Sequence, residues 1–577
     1  MTDEGRSLGG RRLAAVVGLM ALTVGVGLGS ASRLTYHEAF VAQAAREMIA
    51  RGTPGGWLVP TIGGQPWLEK PPLLTWTVAA LSWVAGGVTE WSARVPSALA
   101  AAVVALGVAS LAARRFGPTV GLVAGLIQAT TAWTILRGRL GEADIVLAAL
   151  VTTLMVVFDR LRTTERAATS GPDPLILRGP HRRIAALILA GRPLAPPASG
   201  PELSPTPEPA PALLPVEPHL GDLLINPARW RWAFWGLLGA TSLVKGVGFG
   251  AALLLPTLGA LLVWDRDWRA ARRLVSIPGA VVAAVVALIW PVAVAFRHPE
   301  AVSLWTMHVT DRLASHPEHF IGGPRWQYLP AVLLQALPWT PLAFLGAGPS
   351  LVRARRERHG GDRLLWAWAV VPVLVLSVAT VKNAHYAIHA LPPWSIWAAL
   401  GLVRVERIAG RRAGWTRERT RRLAVGLFGG LGLAVAVGYA VVAPRLDARG
   451  REWAYCAAIG QSLDPSYPLV CLYEDWDRKP YPTPFGPVPH DWAIRLFSFE
   501  RTATWRQGVA NLVDHPPAPP GQPYALLGRD RDREALAALG QVEVISHGPA
   551  VRFDRTFTLF RITPSTREGV QRIGQPL

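Results

Sequence analysis

Twelve apolar segments punctuate this 577-residue chain, and they limit what it can fold into more than any other feature. They run Leu13–Ser32, Leu73–Val88, Val95–Ala113, Val120–Leu136, Ile145–Phe158, Trp232–Val244, Gly246–Val263, Ile277–Phe296, Leu329–Leu345, Leu364–Val381, Ile388–Val403 and Val425–Val442. A helix needs about 20 apolar residues to cross the hydrocarbon of a bilayer, and most of these segments approach that length. Half of all residues are hydrophobic, 24 are Trp, and only 17% are charged. Soluble chains carry about a quarter charged residues, so an ordinary soluble, fibrous or disordered protein is excluded. The sequence reads as a mainly α, polytopic membrane protein.

The formal charge of +20 suits either a nucleic-acid binder or a membrane protein with arginines gathered on one side. Its distribution decides. Arg114–Arg115, then Arg160, Arg162 and Arg166, then Arg266, Arg269, Arg272 and Arg273, then Arg353 to Arg363, then eight arginines between Arg404 and Arg422 occupy alternate loops. By the positive-inside rule these loops face the cytoplasm. The others are balanced: residues 33–71 hold four basic against three acidic, 297–327 three against three, and 445–577 sixteen against fifteen. Several short basic loops do not make one basic surface, so no nucleic acid is expected as partner. The two sides alternate only if Leu73–Val88 does not cross fully. About eleven crossings then remain, with outer juxtamembrane helices, the N-terminus inside and the C-terminus outside. Leu13–Ser32 reads as an uncleaved anchor, with a signal peptide the minor alternative.

Four regions follow. Residues 1–166 form a first membrane half with an outer loop at 33–94. Residues 167–226, with ten prolines between Pro193 and Pro218, read as a disordered cytoplasmic insertion. Residues 227–444 form a second membrane half with an outer loop at 297–327. Residues 445–577 read as a small α/β soluble domain on the outer face. Both cysteines of the chain, Cys456 and Cys471, fall there, and an oxidising exterior favours a disulfide between them.

Ionisable groups at the outward ends of apolar segments are functional candidates, because they are costly near a bilayer. His37 and Glu38 follow the first segment, and Gln43, Arg46 and Glu47 follow at helical spacing. Glu69-Lys70-Pro-Pro comes next. Asp144 opens the segment after Arg139 and Glu142, Lys245 breaks a hairpin, His308 lies in the second outer loop, and Lys382 with His385 lies between two later segments. Each has a bland reading alone, as a snorkelling lysine or a hydrogen-bonded spacer. Together they put carboxylates, histidines and three lysines on one face. That suits a phosphate-bearing amphiphile: lysines neutralise phosphate, a carboxylate or imidazole acts as base, and the apolar helices hold a lipid tail.

The run His37-Glu-Ala-Phe-Val-Ala-Gln-Ala-Ala-Arg-Glu-Met48, then Trp57-Leu-Val-Pro, Leu68-Glu-Lys-Pro-Pro-Leu and Ala93-Arg-Val-Pro-Ser-Ala-Leu resembles the GT-C integral-membrane glycosyltransferases. The aminoarabinose-to-lipid-A transferases and the protein O-mannosyltransferases are the kin it is most similar to. The resemblance continues through Arg139-Leu-Gly-Glu-Ala-Asp144, Leu243-Val-Lys-Gly246, Trp305 with His308, Leu337-Pro-Trp339 and Lys382-Asn to Tyr386, and covers roughly residues 13–405. It implies transfer of a sugar from a polyprenyl-phosphate donor to a lipid, glycan or protein acceptor at the outer face of a bacterial-type inner membrane. It implies catalytic roles for His37, Glu38 and Asp144, and donor-phosphate contacts at Lys70, Lys245 and Lys382. It also implies one divalent metal ion at Glu69, with His308 as partner ligand. Relatives open the first outer loop with Asp-Glu, whereas this chain has His37-Glu38. Three readings follow: imidazole as base, Glu38 as base, or an inactive copy. Two alternatives to the lipid-directed enzyme stand beside it, a protein O-glycosyltransferase of the same fold and a flippase for lipid-linked sugars. No internal repeat of the transporter kind is visible, and the polar residues cluster at one face rather than at mid-span.

Overall fold

A computed structural model describes residues 8–169, 227–313, 323–358, 360–447, 450–464, 466–473, 492–501, 503–551 and 555–565. The proline-rich stretch expected to be disordered lies almost wholly outside the described residues. Among the described residues, four helices are long and apolar enough to cross a bilayer: Glu90–Phe116, Ile277–Ala295, Gly361–Val378 and Glu418–Leu446. Two bent pairs raise the number to six. One is Pro118–Thr130 with Ala132–Gly138, bent by 60°, and the other is Tyr328–Gln335 with Thr340–Arg356, bent by 113°. Shorter apolar helices, Leu73–Val84 and Phe249–Asp265, accompany them. The Leu73–Val84 helix has 12 residues. At 1.5 Å per residue it reaches about 18 Å, short of the ~30 Å hydrocarbon layer. It lies against Tyr36–Arg51 and Glu90–Phe116 instead.

Helix contacts are set by small residues, as expected where apolar burial gives no drive between helices in lipid. The helices Thr340–Arg356 and Leu391–Ala413 meet at Gly346 and Gly401. A β-carbon on Gly346 would stand 2.0 Å from the Trp397 carbonyl oxygen, and one on Gly401 would stand 2.1 Å from that of Leu342. Neither position has room for any other residue.

At the end of the bundle opposite the first long loop, several arginines that define the basic side are buried in ion pairs. Arg162 pairs with Asp265 and, at 2.9 Å, with Asp267. Arg363 reaches Asp265 at 2.9 Å, and Arg115 Nε reaches Asp159 at 2.6 Å. These pairs join the helices Glu90–Phe116, Ala143–Thr169, Phe249–Asp265 and Gly361–Val378. The charge excess on this side is thus partly neutralised inside the protein rather than presented to lipid head groups.

The first long loop is built on the helix Tyr36–Arg51, whose start is a capping box between Thr35 and Glu38. Glu47, further along, organises the two-residue strands β1 (Thr61–Ile62) and β2 (Gln65–Pro66). It accepts from Thr61 Oγ1 at 2.7 Å, Gly63 N at 2.6 Å and Gly64 N at 3.2 Å. Gly63 and Gly64 both have positive φ, which the turn between the strands requires.

Beyond the last long helix, five strands form one mixed sheet in the order β4-β3-β5-β7-β6. They are β3 (Leu469–Tyr473), β4 (Thr504–Gln507), β5 (Tyr524–Arg529), β6 (Gly540–Val551) and β7 (Arg555–Pro564). The first three are mutually parallel, and β7 runs antiparallel to β5 and β6. Both faces are covered, which is why β3 and β5 are apolar without alternation. Val470, Leu472, Leu526, Phe560 and Ile562 pack on one side with Leu512, Leu536 and Leu539. Leu469, Cys471, Ala525, Leu527 and Leu559 pack on the other, in one core with Phe40, Ala44, Met48, Trp67, Leu74 and Val78 of the first loop. Polar contacts reinforce this. Arg46 donates to the Phe497 carbonyl at 2.7 Å and stacks on the Phe497 ring, while Arg33 lies over Trp453.

The disulfide expected between Cys456 and Cys471 is not formed: both are buried free thiols in that shared core. Burial pushes the Cys471 thiol up to about 12 and the Cys456 thiol well above its ordinary value. A native protein therefore offers neither thiolate nor access. Maleimide should label neither cysteine in the folded protein and both after denaturation without reductant. Two unlabelled cysteines after denaturation would establish the bridge instead.

Candidate functional site

The loop end of the bundle collects charge from four separate stretches of chain. The connection after Ala132–Gly138 brings Arg137 and Glu142 into an ion pair. Burial raises the Glu142 carboxyl above its usual range in spite of that partner. Two residues on, Asp144 sits in the first turn of the helix Ala143–Thr169. There it pairs with Lys245, the last residue of the short helix Ser242–Lys245, which ends where Gly246 takes a positive φ. The Lys245 ammonium also lies 3.9 Å from the centre of the Tyr386 ring. His385, in the connection between Gly361–Val378 and Leu391–Ala413, puts Nε2 3.7 Å from Asp144 Oδ2. Burial lowers the His385 imidazole to about 4, so it stands neutral beside the carboxylate at neutral pH. Lys70 and Arg137 also lie close enough to His385 to act on its charge. Three cations, Arg137, Lys245 and Lys70, thus share this end with the carboxylates of Glu142, Asp144 and, beside Lys70, Glu69.

Of the residues singled out in the sequence, the structure brings together Asp144, Lys245 and Lys70. Lys382 takes another place. It is buried, donates to the Ala379 carbonyl and neighbours Arg325. His37 is exposed in the first turn of Tyr36–Arg51, its ring 4.0 Å from that of Tyr36.

Glu38 does not have the place a base requires. It is fully buried, and Arg94 Nε meets its Oε1 at 2.7 Å. Gly141 N donates to the same oxygen at 3.0 Å, and Thr35 N to the other at 2.8 Å. With both oxygens engaged, Glu38 is a cap and an ion-pair partner. Through Gly141 it also fixes the start of its helix, and so His37, beside the segment that leads to Asp144. Arg94 completes the joint by donating to the carbonyls of Leu28 at 2.9 Å, Ser32 at 3.0 Å and Arg33 at 3.3 Å. Arg139 plays a similar part nearby, donating to the carbonyls of Thr23, Val24 and Val26 at 2.6–3.1 Å.

Glu69 is partly exposed beside Lys70. The helix Glu300–Leu313, which carries His308, is tied to this corner because Trp305 Nε1 donates to the Leu68 carbonyl at 2.8 Å. The His308 side chain lies outside the described residues, and among the described residues no three His, Cys, Asp or Glu converge as metal ligands.

Two residues of the cluster, Tyr386 and His389, carry more of it than the sequence indicates. Tyr386 caps the Lys245 ammonium, and His389 is buried with neither ring nitrogen hydrogen-bonded among the described residues. Their signal is the spacing Lys382, His385, Tyr386, His389 before Leu391-Pro-Pro, the last three of them on the 3₁₀ helix Ala384–Ala390.

Residues 69–169 match the family described as dolichyl-phosphate-mannose-protein mannosyltransferase. An undecaprenyl phosphate-alpha-4-amino-4-deoxy-L-arabinose arabinosyl transferase of Sodalis glossinidius is 26% identical over 372 residues, 63% of this chain and 53% of the relative. A protein of the same description from Pseudomonas fluorescens is 32% identical over 178 residues, 29% of this chain and 30% of the relative. The chain thus aligns with about half the length of the curated relatives it matches. The crystal structure of ArnT from Cupriavidus metallidurans bound to undecaprenyl phosphate superposes with a TM-score of 0.64 and 17% identity, covering 98% of each chain. The chain has the fold of that protein. It resembles the GT-C glycosyltransferases, and it is a multi-pass membrane protein.

Proposed function

We propose that the protein transfers a sugar from a polyprenyl-phosphate donor to a lipid acceptor of the lipid A kind, at the outer face of a bacterial-type inner membrane. The N-terminus is then cytoplasmic, the sheet lies outside, and about eleven helices cross. The buried Asp144–Lys245 pair carries the reading. It holds an ammonium ready at the end of an apolar bundle, beside Tyr386 and, like Lys70, near His385, where a lipid phosphate arrives with its tail among the helices. The descriptions of the relatives name an undecaprenyl-phosphate sugar, which agrees with that chemistry.

In the proposed mechanism Lys70 and Lys245 neutralise the donor phosphate, and Asp144 with His385 keeps Lys245 placed. The acceptor oxygen attacks the anomeric carbon, and the bond from that carbon to the phosphate oxygen breaks. Polyprenyl phosphate leaves as an anion already met by the lysines, and the acceptor proton passes to the exposed His37 imidazole. A single displacement inverts the anomeric centre. Lys382, three residues before His385 on the same connection, is assigned to the approach of the phosphate. Glu69 and His308 remain the residues proposed to hold a divalent ion, which would polarise the phosphate.

Purified protein given a polyprenyl-phosphate sugar tests the reading. His37→Ala should lower turnover about 10²- to 10⁴-fold, the usual range for a lost general base, while leaving binding of undecaprenyl phosphate in place. Turnover unaffected by His37→Ala would remove the proposed base. Mass spectrometry of lipid A and exported proteins from a strain lacking the protein should show one missing sugar on lipid A. Loss from a protein instead would make it a protein O-glycosyltransferase.

A further inference from the structure

His389 is 1% exposed, and among the described residues neither Nδ1 nor Nε2 has a hydrogen-bond partner. Its backbone is not free to move away, because Trp368 Nε1 donates to the His389 carbonyl at 2.9 Å. The ring stands edge-on to Phe249, with centroids 6.4 Å apart. Phe249 in turn neighbours Lys245 at 5.7 Å and Tyr386 at 5.6 Å. Lys245, Asp144 and His385 all lie close enough to His389 for their charges to act on it. The imidazole therefore belongs to the wall of the Lys245 cluster and brings one hydrogen-bond donor and one acceptor to it when neutral.

Buried polar groups are almost always hydrogen-bonded, and one without a partner lowers stability. An apolar residue would pack against Phe249 without that cost. A group that is unsatisfied in the empty protein and satisfied in a complex turns the difference into binding.

We propose that His389 forms the deep wall of a head-group subsite, its ring exchanging hydrogen bonds with an oxygen of the bound sugar phosphate. The oxygen belongs either to the phosphate or to a sugar hydroxyl. This rests on the function proposed above and adds to it a residue that reads the donor's head group.

The test uses the full chain in lipid nanodiscs, the variants His389→Leu and His389→Gln, and three probes. These are undecaprenyl phosphate alone and undecaprenyl phosphate carrying mannose or 4-amino-4-deoxy-arabinose. Dissociation constants and thermal midpoints are measured together. His389→Leu should unfold at the same or a higher temperature than the wild type, since it removes unpaired polar atoms. It should also bind at least one probe about tenfold more weakly, the effect of one lost hydrogen bond to a charged or buried group. His389→Gln should recover part of that affinity. Weaker binding of all three probes places the phosphate on His389, and weaker binding of a sugar-bearing probe alone places a sugar hydroxyl there. Wild-type affinity of His389→Leu for every probe overturns the subsite, with or without a lowered midpoint, and leaves the proposed function standing. A wild type that binds none of the three overturns both.

Discussion

Replacing Arg94 by methionine should destabilise the protein by about 3–5 kcal/mol, the cost of stranding one member of a buried ion pair. Arg94 is 2% exposed and Glu38 fully buried, so no water takes the place of the lost guanidinium. The Leu28, Ser32 and Arg33 carbonyls lose their donor at the same time. Glu38→Ala should cost a similar amount, since it strands Arg94 and removes the cap at Thr35 and the contact to Gly141. The double variant Arg94→Met with Glu38→Leu should cost clearly less than the sum of the single changes, because no unpaired charge is left inside. Thermal unfolding in detergent checks this. A shift for Arg94→Met within the scatter of surface substitutions would show that the pair is not the joint of the loop end. Activity alone would not separate this role from catalysis, and for that reason stability is the quantity to measure.

Lys245→Met should lower sugar transfer about 10²- to 10³-fold, the range seen when one preorganised electrostatic partner of a developing anion is removed. Asp144→Asn should produce a loss of similar size, since Lys245 then has no counter-ion to place it, and His385 alone is neutral. The two residues act as one unit, so the double variant should be little worse than either single one. Additive losses would mean that Asp144 and Lys245 work in separate steps. Wild-type turnover in Lys245→Met would remove the proposed phosphate site. Lys245→Met also strands the Asp144 carboxylate, whose side chain is only 9% exposed, so its thermal midpoint should fall as well and turnover is compared per folded molecule.

The sequence made some of this legible and hid the rest for physical reasons. Apolar length and arginine spacing are local signals, and they mark a helical membrane body and, by the alternation of charge, a Leu73–Val88 segment that does not cross fully. Asp144, Lys245 and Lys70 stand out because charge at the end of an apolar helix is costly. Their meeting does not stand out, since Asp144 and Lys245 are 101 positions apart. Glu38 and Arg94 are 56 apart, and nothing local marks Glu38 as a buried cap rather than a base. Arg46 looks like a helix-surface partner of Gln43 and Glu47, yet its strongest contact is with Phe497. His389 is hidden by its neighbours, because a single His among Ala, Ile and Leu is ordinarily a satisfied spacer. Cys456 and Cys471 point to a bridge by compartment and number, and the shared core supplies a reason for buried thiols that composition cannot show.

That shared core has a kinetic consequence. The contact between Arg46 and Phe497 spans 451 residues of chain, and the residues packed around it belong to the first loop and the last sheet. Contacts of such separation form late, because the intervening chain must be ordered before closure is rewarded. During synthesis the first loop emerges some 400 residues ahead of the strands that cover Phe40, Met48 and Trp67. The loop that bears His37 thus reaches its final packing only after the strands of the last sheet have been made. On the proposed function, assembly of the site that includes His37 is thereby tied to synthesis of that sheet.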